Sequence, residues 1–233
     1  MNLQYTNKKI FFHVGLHKTA STFLQKNVFP NFYGITYIDK KDFDIKESII
    51  EESNCKTILL SREIQPEEKS GLKRIKEVAE KYPTVTPLLV LRRHGQWIVS
   101  RYKHYLKYGY HNFDDFFDLK HDQGIIKSYN LDYMKKIELL QKCYTNPPYV
   151  IFYEELVNNL FGVIDHISDL LGADYRAKDI STRRANQSYS ETQLQAMKKI
   201  NKICNQNLNR KTGLRSHQFC KIFSRLLSRS GAY

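Results

Sequence analysis

The segment HVGLHKTAST, His13 to Thr22, crowds one lysine and three hydroxyl side chains between an apolar run and an amphipathic one. A strand ending at Gly15 and a helix starting near Ala20 bring unpaired backbone N–H groups and the positive end of a helix dipole to one point, which makes an anion site. Lys18 adds a full positive charge, and Thr19, Ser21 and Thr22 add donors, a set suited to phosphate-like oxygens. The loop is not a Walker A sequence, because Lys18 follows Gly15 by only three residues and no glycine precedes the lysine. A magnesium-dependent NTPase also needs an acidic group at a neighbouring strand end, for which Asp39 is a generic candidate. The run PLLVLRR ends instead in Arg92 and Arg93, cations suited to neutralising a phosphate by protein rather than by metal. Ser100, eight residues after Arg92 and early in the following segment, could reach the same anion.

The elements that must hold these residues are legible as alternation. Strand-length apolar runs at KIFFHVG, ITYID, TILLSR, PLLVLRR and YVIFYE are each followed by a longer segment of helical spacing. This implies an α/β fold, a three-layer parallel sheet flanked by helices, with Lys18 and Arg92 at the carboxyl edge where open sheets bind ligands. Ala20, Phe23, Leu24 and Val28 share one helical face, and Ile98, Tyr102 and Tyr105 share another. A third amphipathic run, Leu156 to Leu171, stops at Gly172, a fitting C-terminal cap. After it come a polar loop and a further helix announced by Ser190 and Gln193 in capping-box spacing. Residues 1–208 thus read as one α/β domain with a helical C-terminal portion. Residues 209–233, whose charged side chains are all basic, read as an amphipathic tail.

Composition narrows the class of function. The formal charge is +13 over 233 residues, a surplus that attracts phosphorylated ligands, polyanions or anionic membranes. No zinc-finger spacing, RNP-like strand or basic-leucine heptad accompanies it, so nucleic acid is not the expected partner. Four scattered cysteines without a C-x-x-C pair suggest neither a disulfide framework nor a zinc site. No run is long and apolar enough to span a membrane and no signal peptide opens the chain, so the expected location is the cytoplasm. The tail, with Phe219, Ile222, Phe223 and Leu226 opposite Lys221, Arg225 and Arg229, gives a route to an anionic membrane surface.

Together GLHKTASTFLQ and LRRHGQWIVSRY resemble the sulfotransferases that use 3′-phosphoadenosine 5′-phosphosulfate, most closely their short bacterial members. LLSREI and RRANQS extend the resemblance to about Asn207. It implies that the lysine and hydroxyls of the loop, here Lys18, Thr19, Ser21 and Thr22 with His17 and Ala20 beside them, hold the 5′-phosphosulfate. It further implies that Arg92 and Ser100 hold the 3′-phosphate, with no metal and no covalent intermediate. His17 stands where proline is usual and Ala20 where glycine is usual. Ala20 adds a methyl group near the phosphate, in what reads as a helix start that tolerates alanine.

Such a reaction moves a sulfuryl group to an acceptor hydroxyl or amine, with Lys18 stabilising the leaving phosphate. The base candidates are His17, Glu63 and His104. Glu63 is favoured because its strand should adjoin the first one, and the resemblance implies a glutamate or histidine base. Arg183, Arg184 and Asn186 lie in a polar loop that could close over the nucleotide. SRYKHYLKYGYHNF interleaves cations with aromatics, either to stack on sugar rings and attract acidic glycans or simply as a solvated helix face. The resemblance implies a saccharide or glycolipid acceptor. A nucleotide kinase of unusual loop and a non-catalytic polyanion- or nucleotide-binding protein are the alternatives.

Overall fold

The structure, a computed structural model, describes residues 8–65, 68–106, 112–182 and 190–208. The five apolar runs become five strands, β1 (Lys9–Gly15), β2 (Thr36–Ile38), β3 (Thr57–Glu63), β4 (Thr86–Leu91) and β5 (Tyr149–Phe152). They form one sheet in the order β2-β3-β1-β4-β5, with every pair parallel. From β1 the chain goes to β2 and β3 on one side, then crosses to β4 and β5 on the other. Ligands of open parallel sheets bind beyond the carboxyl ends at such a reversal.

Strand alternation sends side chains to two cores. Phe12, Val14, Ile58, Leu60 and Leu89 face helices α2 (Lys46–Glu52), α3 (Lys69–Lys81) and α7 (Tyr133–Cys143), which contribute Ile50, Ile75, Val78 and Leu140. Phe11, Leu59, Leu88, Val90 and Ile151 face the opposite layer, where Leu24, Val28, Leu156, Ile164, Ile167 and Leu171 meet them. The expected three layers, a parallel sheet between helices, are therefore what folds. Burying a large aliphatic side chain contributes roughly 1.5–3 kcal/mol, so these two cores hold the carboxyl edge rigidly.

Two helices differ from the sequence expectation. The segment after the first loop is a three-residue α-turn, α1 (Ser21–Phe23), continued by a π-helical turn over Leu24–Val28. The run from Leu156 to Leu171 is split into α8 (Tyr153–Asn158) and α9 (Leu160–Leu171). Asn159 causes the break: its side chain accepts the Gly162 N–H at 3.2 Å and so opens a new helix. Gly172 closes α9 in the left-handed conformation, φ 60°, as its sequence position predicts.

The chain divides into two compact units, Met1–Arg93 with Asp132–Ala185, and His94–Leu131 with Asn186–Tyr233. The sheet belongs to the first. The second contains α4 (His94–Leu106), α5 (Phe113–Phe116), α6 (Ser128–Leu131) and α10 (Glu191–Leu208). Trp97, Tyr102, Leu106, Phe116, Leu194 and Met197 form its core. The capping box is present at the start of α10, where Ser190 Oγ accepts the Gln193 N–H and Gln193 Oε1 accepts the Ser190 N–H. Residues 209–233 lie outside the described residues.

Candidate active site at the carboxyl edge of the sheet

The turn after β1 is built by its hydroxyls. Thr19 Oγ1 donates to Leu16 O at 2.8 Å and Ser21 Oγ donates to the same oxygen at 3.1 Å. Both side chains are buried, so they tie the loop into shape from inside. Gly15 is required by this closeness: a Cβ there would stand 2.7 Å from Ser21 Oγ. Lys18 and Ala20 both adopt positive φ, 65° and 67°, a conformation that costs a non-glycine residue about 1–2 kcal/mol. Ala20 therefore precedes the first helical turn in a left-handed conformation, and the tolerance expected of a helix start does not apply to it.

β3 brings the base candidates together. Gly15 pairs with Glu63 in the parallel register, so the Glu63 carboxylate emerges beside the loop. His17 Nδ1 lies 3.5 Å from Glu63 Oε2, and Thr22 Oγ1 donates to Glu63 Oε1 at 3.3 Å. The hydrogen bond from His17 holds the Glu63 carboxyl below its ordinary range; partial burial opposes it, and Thr22 and Lys40 add to the lowering. Glu63 is thus a fixed anion near neutrality, joined to an imidazole. The third candidate, His104, lies on α4 in the second unit.

β4 supplies the cation. Arg92 follows the last residue of the strand, and its Nη1 donates to Lys18 O at 3.0 Å. Its guanidinium lies 4.0 Å from the Tyr153 ring centroid, a stacking geometry that desolvation strengthens. The Arg92 carbonyl accepts the Tyr133 hydroxyl at 2.7 Å, while the Arg93 N–H donates to Glu154 Oε1 at 3.0 Å. Arg92 Nε is buried and makes no hydrogen bond, leaving one donor of a positioned cation unused. Arg92 is therefore welded to the loop that carries Lys18, across the topological switch.

Beneath the loop lies a buried polar pair that sequence reading missed. His13 Nδ1 is 2.7 Å from Ser61 Oγ, which also accepts from Gln25 Nε2 at 3.0 Å. Burial pushes the His13 pKa down to about 4, against a weaker upward pull from Glu63, so the imidazole is neutral near pH 7. Tyr153, directly after β5, was missed as well. Its place next to a strand end was the available signal.

Of the remaining predicted residues, Ser100 sits on α4, half-buried, in the second unit. Arg183, Arg184 and Asn186 lie outside the described residues. Asp39 uses Oδ1 to accept the Lys41 N–H at 2.6 Å. In SRYKHYLKYGYHNF the buried Tyr102 lies against Phe113 and Phe116, and Arg101 stacks near Trp97 and Tyr105, while Phe113 is exposed.

The arrangement joins a loop of backbone and lysine, an arginine anchored to it and a carboxylate paired with imidazole, which suits an anion with a reactive centre beside a base. Comparison with known proteins agrees in kind. The sulfotransferase domain family model matches residues 73–222, a span that includes Arg92 and Ser100 and begins after the lysine loop. Among solved structures, a sulfotransferase from Alicyclobacillus acidocaldarius superposes with TM-score 0.54 at 14% identity, covering 91% of this chain and 99% of that one. A mouse sulfotransferase complexed with PAP gives TM-score 0.40 at 12% identity, over 83% of this chain and 63% of that one. No curated protein sequence matches.

Proposed function

Because the chain belongs to the sulfotransferase domain family, we propose that it transfers a sulfuryl group from 3′-phosphoadenosine 5′-phosphosulfate to a saccharide or glycolipid hydroxyl. The observation that carries the reading is the Arg92 Nη1 bond to Lys18 O, which ties the candidate residues for the two phosphate groups into one edge. The residues fit such a donor. Arg92 Nε is a buried donor without a partner, and Arg92 is tied to the loop that carries the Lys18 cation. The donor, when bound, supplies an activated sulfuryl group on a mixed anhydride.

The chain's own residues divide the remaining work. Lys18 and the loop amides stabilise charge on the phosphate side, where preorganised donors act with little reorganisation. Arg92, and Ser100 by the motif, hold the 3′-phosphate and orient the nucleotide. Glu63, paired with His17, accepts the proton of the acceptor hydroxyl. The rest of the partner assignment, an acceptor at a cell surface and an anionic membrane under the 209–233 tail, rests on the sequence resemblance and on charge.

The test is an assay of purified protein with the phosphosulfate donor and a panel of saccharides and glycolipids, following release of adenosine 3′,5′-bisphosphate. Acceptor-dependent release without added metal is the expected result. Transfer from ATP with magnesium, and none from the phosphosulfate, would overturn the assignment in favour of a kinase.

A further inference from the structure

Next to Glu63 on β3, but projecting to the opposite face of the sheet, is a second set of charges that the reaction described above does not use. Arg62 from β3 and Arg74 from α3 both place Nη1 at 3.6 Å from the same oxygen, Asp44 Oδ1. The Asp44 side chain is 81% exposed while Arg62 is 20% exposed, so the shared carboxylate lies on the solvent side of a mostly covered guanidinium. Phe43 fixes the position from below, with Arg62 Cζ and Lys46 Nζ each 4.9 Å from its ring centroid. Lys46 and Lys81 in turn share Glu47 at 2.9 and 3.1 Å. Among the described residues, two guanidiniums thus share the single Asp44 carboxylate, and two lysines share Glu47.

Electrostatics shows which way this cluster leans. Two guanidiniums drawn towards one carboxylate repel each other, each contact at 3.6 Å is longer than a hydrogen bond, and Arg62 Nη1 is buried without a hydrogen bond. Partial burial and the Arg74 charge both press against the charge on Arg62, outweighing the help from Asp44. An added anion would relieve that repulsion and give the arginine forks a planar partner. Consecutive strand residues are about 3.8 Å apart at Cα. Arg62 and Glu63 project to opposite faces of β3, so a ligand that wraps the carboxyl edge of the sheet would meet the base on one face and these arginines on the other.

We infer that Arg62 and Arg74 form an acceptor subsite for an anionic group, a carboxylate or sulfate ester carried by the sugar next to the one that is modified. Asp44 occupies the subsite as an internal stand-in until the acceptor arrives. The inference rests on the reading of the edge as a sulfotransferase site and names the acceptor's chemistry: an acidic saccharide.

The experiment uses the full chain saturated with adenosine 3′,5′-bisphosphate, whose binding is measured first so that failure of the donor site is seen separately. Three chondroitin probes are then titrated: the unsulfated polymer, its carboxyl-reduced neutral form and a carboxyl-reduced form carrying 4-sulfate. Either charged polymer should bind roughly 10-fold or more tightly than the neutral one, the scale of hydrogen bonds to charged groups. Arg62→Gln with Arg74→Gln should erase that preference while leaving bisphosphate binding intact. Asp44→Asn should strengthen it, whereas Glu138→Gln, the same charge change on the exposed side of α7, should not. Equal or absent binding of charged and neutral polymers, or a preference that survives the double arginine substitution, overturns the inference. So does an equal gain from Glu138→Gln, which would mark a response to net charge alone.

Discussion

At the scale of single residues, the decisive pair is His17 and Glu63. A carboxyl kept acidic by a neighbouring imidazole stays charged at neutral pH but loses some basicity, and a base works best when its pKa approaches the working pH. Glu63→Gln should leave bisphosphate affinity nearly unchanged and lower turnover about 100-fold or more. The sign of the pH effect is fixed by the downward shift. Glu63 stays ionised until the pH falls through its lowered pKa, so the acid limb of kcat/KM lies below the ordinary glutamate range. In His17→Ala the largest lowering influence on Glu63 is lost, and that limb should move upward towards the ordinary glutamate range. A pH profile of both variants checks this; an unmoved acid limb in His17→Ala would remove Glu63 as the titrating group.

At the scale of elements, the strands were legible and the loop chemistry only in part. Runs such as FFHV and ILLS are apolar and bounded, and burial on both faces of a parallel sheet demands no more than that. The split at Asn159 was hidden because apolar periodicity continues across it from Leu156 to Leu160, while the cap acts through one side-chain oxygen. The π turn at Leu24–Val28 was hidden for a related reason: Leu24 and Val28 suit an α-helical face equally well. The His13–Ser61 contact joins residues 48 apart in sequence, and only strand register reveals it. Thr19 and Ser21 were recognised as hydroxyls of an anion loop, but whether they face a ligand or the loop's own carbonyl depends on the turn.

The loop also makes a paired prediction about stability. Ala20→Gly relieves a left-handed conformation costing about 1–2 kcal/mol, partly offset by the entropy of glycine in the unfolded chain, about 0.4–1 kcal/mol. It should raise the melting temperature slightly. Gly15→Ala places a methyl group 2.7 Å from Ser21 Oγ and 2.9 Å from its Cβ, so it should lower the melting temperature and weaken bisphosphate binding. Thermal unfolding of the two variants would show opposite signs; shifts in the same direction would contradict this account of the turn.

At the scale of the whole molecule, the sheet order decides what the charges can do. β1 stands between β3 and β4, so the lysine loop has the Glu63 carboxylate on one flank and Arg92 on the other. A surplus of positive charge over the chain favours capture of a multiply charged nucleotide, yet it cannot distinguish one phosphate position from another. In the proposed function that distinction is assigned to Arg92, held by Lys18 O and Tyr153. Calorimetric titration with adenosine 3′,5′-bisphosphate and with 5′-AMP, in the natural chain and in Arg92→Ala, tests it most directly. The account predicts roughly 10-fold or greater preference for the bisphosphate without added metal, lost in Arg92→Ala while 5′-AMP binding persists. Equal affinity of the natural chain for the two nucleotides would contradict it.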